Sequence, residues 1–456
     1  MFKQDLSLCI CGHAWHGKST LLGKLVAECG MASAREVEAA RKMAAEGRDS
    51  SLVFAQLVFR SKDVTQEDSE AARGVTILPS MVRFEFVKHR VTVIDTPGQE
   101  TYTNNRFFGM FQADAAMLVV DCEEGPKPIT HQVVRILKGF EIPLHGVILS
   151  KIDKLEYKEQ PFREREEEIR LLLEEYGVPH ENTTFIPTSA YAPRRDIMDP
   201  GEGIIGFHKI GWYDGPSVRD FMAGLSFDAI RPVDAPLRLV IHGSEVYDHV
   251  PGIGKTATAL VESGVIRPEM TLQFEPISAE RKGKVTARVR SIQLTRGHIA
   301  TPGIPIDEGR PRQLIGVAFK NLSAKDALRE LFKGRGVVAG TTSHPPRVAR
   351  KMELELTVFD PDAILRLGEV WTMHAHVDRC AIQIDAISAK RESDGNEWVE
   401  TKDDAIIAGE WARVIASVAN RPLALEEAGT LPQLAKFVLR QGNKAVAFGR
   451  CTKVLG

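Results

Sequence analysis

The sequence predicts an α/β domain with a parallel sheet followed by two antiparallel β domains, and three observations predict it. The chain has 456 residues, which at roughly 100 to 200 residues per domain is two to four domains. Up to about Phe227, short apolar runs alternate with helical stretches, the pattern of strands joined by crossover helices. From Ala235 the texture changes to short β-branched segments punctuated by Gly and Pro, which argues for antiparallel barrels or sandwiches. His344, Pro345 and Pro346 interrupt that second half and read as a joint, so the expected domains are 1–230, 235–340 and 347–456.

In the first domain the apolar runs give strands at Leu6 to Cys11, Met81 to Val87, Arg90 to Asp95, Ala115 to Asp121, Leu144 to Ser150 and Thr184 to Thr188. Helices are expected at Lys18 to Glu28, Ala34 to Ala45 and Thr130 to Gly139, with a charge-rich one at Arg163 to Tyr176. No fixed-period repeat or low-complexity tract is present.

Composition narrows the function classes. With 43% hydrophobic and 26% charged residues, 24 Pro and 37 Gly, the chain is an ordinary globular protein. A net charge of −2 supplies no global field for nucleic acid, so any such contact must come from a local basic patch. The six cysteines are scattered with no C-x-x-C, and Cys9 and Cys11 lie in an apolar run as small core residues. No disulfide framework or zinc site is expected, and a reducing compartment fits. No apolar stretch approaches 18 residues, so neither signal peptide nor membrane span is expected and the location reads as cytoplasmic.

Directly after the first apolar run stands Gly12-His13-Ala14-Trp15-His16-Gly17-Lys18-Ser19, a G-x-x-x-x-G-K-S phosphate loop leading into a helix. Its glycines let backbone N–H groups converge on phosphates, the helix N-terminus adds its positive dipole end, Lys18 reaches the β and γ phosphates, and Ser19 can ligate Mg²⁺. Phosphate contacts are therefore expected from His13, Ala14, Trp15, His16, Gly17, Lys18, Ser19 and Thr20. Asp95-Thr96-Pro97-Gly98-Gln99 ends another strand, placing the Asp95 carboxylate at the carboxyl edge of the sheet, where it can hold Mg²⁺ through a water. The Gly98 amide can approach a γ-phosphate with no side chain in the way. Ser150-Lys151-Ile152-Asp153 follows a third strand, and Asp153 can accept from both the ring N–H and the exocyclic amino group of guanine. Thr188-Ser189-Ala190 closes a fourth, where a backbone N–H of Ser189 or Ala190 can meet the guanine carbonyl. The cofactor is thus expected to be GTP or GDP with Mg²⁺.

These four motifs, in this order, resemble those of translational GTPases, and the resemblance is closest to the elongation factor 1-alpha and elongation factor Tu family. It runs the length of the chain. Arg73-Gly74-Val75-Thr76-Ile77 looks like that family's switch I signature, which implies Thr76 as a Mg²⁺ ligand beside Ser19 and Asp95. Gln112-Ala113-Asp114-Ala115-Ala116 and Trp212-Tyr213-Asp214-Gly215-Pro216 look like segments after switch II and before the last helix of its nucleotide domain. Gly252-Ile253-Gly254, Val261 to Pro268, Lys320-Asn321-Leu322-Ser323 and Val338-Ala339-Gly340 look like its second domain and the lead into the third. The resemblance implies an α/β P-loop GTPase domain followed by two antiparallel β-barrel domains.

Departures from the family pattern bear on mechanism. Trp15 stands where the family has Asp, so a carboxylate near the phosphates is lost. Ala14 and Val75 replace larger Val and Ile of an apolar gate beside the attacking water, which implies a looser gate. Gln99 replaces the switch II histidine and can orient water by its own hydrogen bonds, so the catalytic set is Gln99, Lys18 and Gly98. Ser150 replaces an Asn, which is expected to remove one clamp between the phosphate loop and the guanine site.

The resemblance implies a GTPase that grips aminoacyl-tRNA in the GTP state and delivers it to the ribosome, as a monomer served by a nucleotide exchange factor. Asn104-Asn105 stands where the family has Lys-Asn near the tRNA 5′ end, with Arg106 next door as an exposed substitute or a solvated side chain. Arg347, Arg350, Lys351, Trp371, His374, His376 and Arg379 form an aromatic and basic set for an RNA backbone. Two alternatives stand beside this reading: a GTPase that loads a release or rescue factor onto ribosomes, and the GTPase subunit of sulfate adenylyltransferase.

Overall fold

The computed structural model describes residues 3–46, 53–58, 76, 79–190, 210–226, 232–241, 246–250, 253–277, 283–295, 303–323, 328, 336–376, 378–392, 397–442 and 444–456. The chain divides into two compact units, the first ending at Ala229.

The first unit is a six-stranded sheet of order β2-β3-β1-β4-β5-β6 with helices packed on it. Its strands are β1 (Gln4–Cys11), β2 (Ser80–Glu85), β3 (His89–Asp95), β4 (Ala115–Asp121), β5 (Leu144–Ser150) and β6 (Thr184–Pro187). Its helices are α1 (Lys18–Glu28), α2 (Ala34–Glu46), α3 (Val53–Gln56), α4 (Thr103–Phe111), α5 (Pro128–Gly139), α6 (Glu159–Glu175) and α7 (Val218–Gly224). Strands β3, β1, β4, β5 and β6 run parallel. The expected all-parallel sheet is corrected at its edge, where β2 pairs antiparallel with β3. The three-residue link Phe86 to Lys88, closed by the Phe86 N–H on the His89 carbonyl, is too short for a crossover, so only a hairpin fits. α6 begins four residues before the expected start, because Arg163 and Arg170 pair one turn back with Glu159 and Glu166. Leu6, Leu8 and Ile10 of β1, Val91 and Val93 of β3 and Leu21, Leu22 and Leu25 of α1 form the centre of the core. In this parallel order the chain leaves β1, β3, β4, β5 and β6 along one edge, the edge where Gly12, Thr96, Cys122, Lys151 and Thr188 follow.

The second unit holds two closed antiparallel barrels, not sandwiches. In the first, Thr271–Glu275, Val337–Thr341, Arg238–Ile241, Gly254–Ser263, Leu314–Lys320 and Val285–Leu294 pair in that order, and the last pairs back to the first. In the second the circuit is Val370–Ala375, Lys436–Gln441, Lys444–Val454, Lys351–Val358, Glu410–Val418 and Asp378–Glu392, again closed onto the start. Alternation along each strand sends one set of side chains inward. Each barrel has its own apolar filling, Leu239, Val261, Phe274 and Val317 in one, Leu354, Met373, Val414 and Phe437 in the other. Between them, within this unit, Arg238 forms a buried ion pair with Glu426 at 2.6 Å and donates to the carbonyls of His344 and Pro345 in the proline joint.

No helix among the described residues is long and apolar enough to cross a membrane. All six cysteines are free thiols and five are buried.

Candidate nucleotide-binding site

The phosphate loop leaves β1 through Gly12, whose φ of 139° suits glycine and whose Cβ, if present, would collide with the Val119 carbonyl. Gly17, at φ 92°, is the residue from which α1 starts, so the unpaired amides of the first helical turn face the loop. Trp15 at the tip takes a left-handed φ of 58° and is 65% exposed. Lys18 is buried and its Nζ donates to the His13 carbonyl at 2.6 Å, folding the ammonium back over the loop. His16 is buried beneath the loop, and burial with the nearby Lys18 and His13 pushes its imidazole down to about 3, keeping it neutral.

The three residues expected to ligate Mg²⁺ meet. The Ser19 hydroxyl donates to Asp95 Oδ2 at 2.6 Å and lies 2.6 Å from the Thr76 hydroxyl, which itself donates to Asp95 Oδ2 at 3.2 Å. The second carboxylate oxygen, Oδ1, is buried without a hydrogen-bond partner. Burial raises the Asp95 carboxyl above its ordinary value, against the opposing pull of Lys18 and the two hydroxyls. An orphaned buried carboxylate oxygen beside two hydroxyls is a donor set suited to a hard divalent cation.

After β3, Thr96 is anchored by its hydroxyl and amide to the Ile10 carbonyl. Gly98 then lies against the phosphate loop, its carbonyl accepting from the Ala14 amide at 3.1 Å. A Cβ on Gly98 would stand 2.5 Å from the Ala14 nitrogen, so only glycine fits. Gln99 is half-buried at the exit.

On the opposite flank the expectation for Ser150 is corrected. Its hydroxyl donates to the phosphate-loop carbonyl of His16 at 2.6 Å, so a clamp between β5 and the loop persists. The short side chain reaches because the end of β5 lies directly against the loop, within ordinary contact distance of Gly17. Lys151 is left-handed, φ 60°, and its Nζ lies 2.7 Å from Asp121 at the end of β4. Burial pushes the Asp121 carboxyl up, but the Lys151 bond and charge and the amides of Glu123 and Glu124 win and hold it below its ordinary value. The Ile152 amide bonds the Thr188 carbonyl at 3.1 Å, which sets the turn carrying Asp153 beside Ser189 and Ala190. Asp121 was not among the expected site residues. Its signal was available, a carboxylate at a strand's carboxyl end like Asp95.

Two further expectations are corrected. Arg106 is neither exposed nor on a loop: it is fully buried in α4 and donates to the carbonyls of Pro97 and Gln99. Trp371, His374 and His376 are no RNA surface: Trp371 packs into the barrel core, His374 is covered on the opposite face of the same strand, His376 is buried in the turn after it, and each is at most 5% exposed. The two imidazoles are held neutral, pushed down to about 3 and about 4 chiefly by burial. The Arg440 guanidinium donates to His374 Nε2, and His376 Nε2 donates to the Ala424 carbonyl at 2.6 Å. Arg347, Arg350, Lys351 and Arg379 are exposed. Arg73, Gly74, Val75, Ile77 and Gly252 lie outside the described residues, as do the side chains of Asn104 and Asn105.

Residues 3–204 match the family model of the elongation factor Tu GTP binding domain, and residues 351–452 match the GTP-eEF1A C-terminal domain-like model. The elongation factor 1-alpha of Methanothrix thermoacetophila is 30% identical over 455 residues, covering 99% of this chain and 98% of its own. The chain belongs to the elongation factor 1-alpha family of translational GTPases. Another elongation factor 1-alpha, from Natronomonas pharaonis, is 29% identical over 99% of this chain and 98% of its own. Among solved structures, the S. cerevisiae Ski7 GTPase-like domain bound to GTP reaches a TM-score of 0.74 at 19% identity, over 99% of this chain and 97% of that one. SelB of Methanococcus maripaludis with a GTP analogue reaches 0.65 at 15%, over 100% and 80%. At those identities the structures speak for the fold. As a member of the elongation factor 1-alpha family, this chain is a GTPase that binds GTP and GDP.

Proposed function

We propose that this elongation factor 1-alpha-like GTPase binds aminoacyl-tRNA in its GTP form, delivers it to the ribosome and releases it on hydrolysis. The observation that carries the reading is the meeting of Ser19, Thr76 and Asp95 with Gly98 set against Ala14, because it joins two loops to one phosphate site. Loops held at a γ-phosphate are a switch between an ordered and a released form. In this reading the amides of His13 to Thr20 and the Lys18 ammonium hold the phosphates, and the Gly98 amide detects the terminal one. Ser19, Thr76 and Asp95 hold Mg²⁺, which supplies charge neutralisation of the β and γ oxygens when bound. Gln99 orients the attacking water. Asp153 selects guanine, an amide of Ser189 or Ala190 meets its carbonyl, and Ser150 with Lys151 keeps the base site in register with the phosphate loop. The domains are 1–230, 235–340 and 347–456. The protein acts as a cytoplasmic monomer, with the ribosome, aminoacyl-tRNA and a nucleotide exchange factor as its partners.

Filter binding with mixed aminoacyl-tRNA tests it. Retention is expected to be at least about ten-fold tighter with a non-hydrolysable GTP analogue than with GDP, and deacylated tRNA is expected not to compete. Equal binding in both nucleotide forms, or none, sinks the carrier reading.

A further inference from the structure

Arg106 is the largest fully buried side chain of the described residues and carries a full charge. A buried guanidinium is costly unless it is closely paired, so what it pairs with indicates its task. Its Nε donates to the Pro97 carbonyl at 3.0 Å, and one terminal nitrogen donates to the Gln99 carbonyl at 2.8 Å. These two carbonyls flank Gly98. In a trans peptide the C=O and the following N–H point in opposite directions, and the cis peptide among the described residues is Glu275–Pro276, elsewhere in the chain. With the Pro97 carbonyl turned toward α4, the Gly98 N–H is therefore turned away from it. The next hold is on the other side, where the Gly98 carbonyl accepts from the Ala14 amide of the phosphate loop. One guanidinium thus holds the carbonyls on either side of the glycine in sequence, while the phosphate loop holds the glycine's own carbonyl.

We infer that Arg106 is a positioning residue for GTP hydrolysis: by bridging the Pro97 and Gln99 carbonyls it aims the Gly98 amide at the γ-phosphate and fixes the backbone that carries Gln99. The inference rests on the nucleotide reading given above. Only a guanidinium offers two donors fixed in a rigid plane, whereas a lysine ammonium is a compact point charge on a flexible stem that cannot fix the two carbonyls in the same way. The charge matters as well as the fork. Arg106 is one of the influences on the Lys18 ammonium, after burial and against Asp95, so both cations sit in one electrostatic neighbourhood. A terminal phosphate accumulating charge there is met by preorganised donors.

The test compares wild type, Arg106→Met and Arg106→Lys as full chains. Methionine keeps much of the volume and removes the buried charge, a change a fold commonly tolerates; lysine keeps the charge and loses the fork. Single-turnover GTP hydrolysis is measured beside equilibrium binding of GDP and of a non-hydrolysable GTP analogue, with thermal melts. Expected for Arg106→Met are GDP affinity within about two-fold of wild type, analogue affinity weakened about ten-fold and hydrolysis slowed about 100-fold, with Arg106→Lys between. Wild-type hydrolysis in either folded variant overturns the inference. Equal weakening of GDP and analogue overturns it too, since that marks a merely structural residue. Should Arg106→Met fail to fold, the lysine variant decides by the same two readouts. A wild-type chain that binds no guanine nucleotide refutes the pocket itself, a separate outcome that takes this inference with it.

Discussion

Burial holds the Lys18 ammonium down to about 8, with Asp95 opposing and Arg106 assisting. A bound triphosphate favours the charged amine, so its value rises on binding. The sign follows: below about pH 8 the free protein already carries the ammonium and binding takes up no proton there, whereas above it each binding event takes one up. GTP affinity is therefore expected to be flat from pH 7 to about 8 and to fall by up to ten-fold per unit beyond it. Calorimetry in buffers of different ionisation enthalpy reads that proton directly; equal proton uptake at pH 7 and pH 9 contradicts it. At this scale the sequence was legible wherever a motif names its residue, as at Lys18, Ser19 and Asp95. It was misleading at Ser150, where a serine reads as a lost clamp until the His16 carbonyl is seen 2.6 Å away. Arg106 misled for a similar reason, because nothing in a one-dimensional string says that Pro97 and Gln99 turn their carbonyls inward.

Elements place these residues by their ends. The loop between β3 and α4 is held at Thr96 by β1, at Gly98 by the phosphate loop and at Pro97 and Gln99 by α4. Gly98→Ala is expected to disturb the middle of these three holds, since its Cβ would stand 2.5 Å from the Ala14 nitrogen. Hydrolysis is expected to fall about 10- to 100-fold, with GDP affinity falling less, because Asp153, Ser189 and Ala190, the residues proposed for the base, lie on other loops. Unimpaired single-turnover hydrolysis in this variant would show that close approach at Gly98 is not used. Most elements of the first unit were readable from apolar runs: β4 and β5 span the expected residues, and α1 begins and ends as expected. The β2–β3 hairpin was missed, although the two-residue gap between the expected strands already excluded a crossover. The choice between barrel and sandwich was not readable from texture, because it depends on whether the last strand pairs back to the first.

Over the whole molecule, the second unit offers the sharpest stability test. Arg238 and Glu426 are each 4% exposed and bridge the two barrels at 2.6 Å. Removing either partner leaves the other charge buried and unpaired. Arg238→Leu or Glu426→Leu is expected to lower the unfolding free energy of this unit by about 3–5 kcal/mol, and the double replacement by less than the sum. Urea melts of the four proteins check this; additive losses would mean that the two side chains do not depend on each other. The α/β first half, the all-β second half, most strands and helices of the first unit and the nucleotide chemistry lay in the sequence itself, because apolar periodicity, glycine spacing and the phosphate-loop signature are local properties of the chain. Which oxygens meet around Asp95, which carbonyls Arg106 holds and whether His374 and His376 are exposed or buried came only with three dimensions. Hydrogen-bond partnership and burial are relations between residues far apart in the chain, and packing sets them after the local pattern has made its elements.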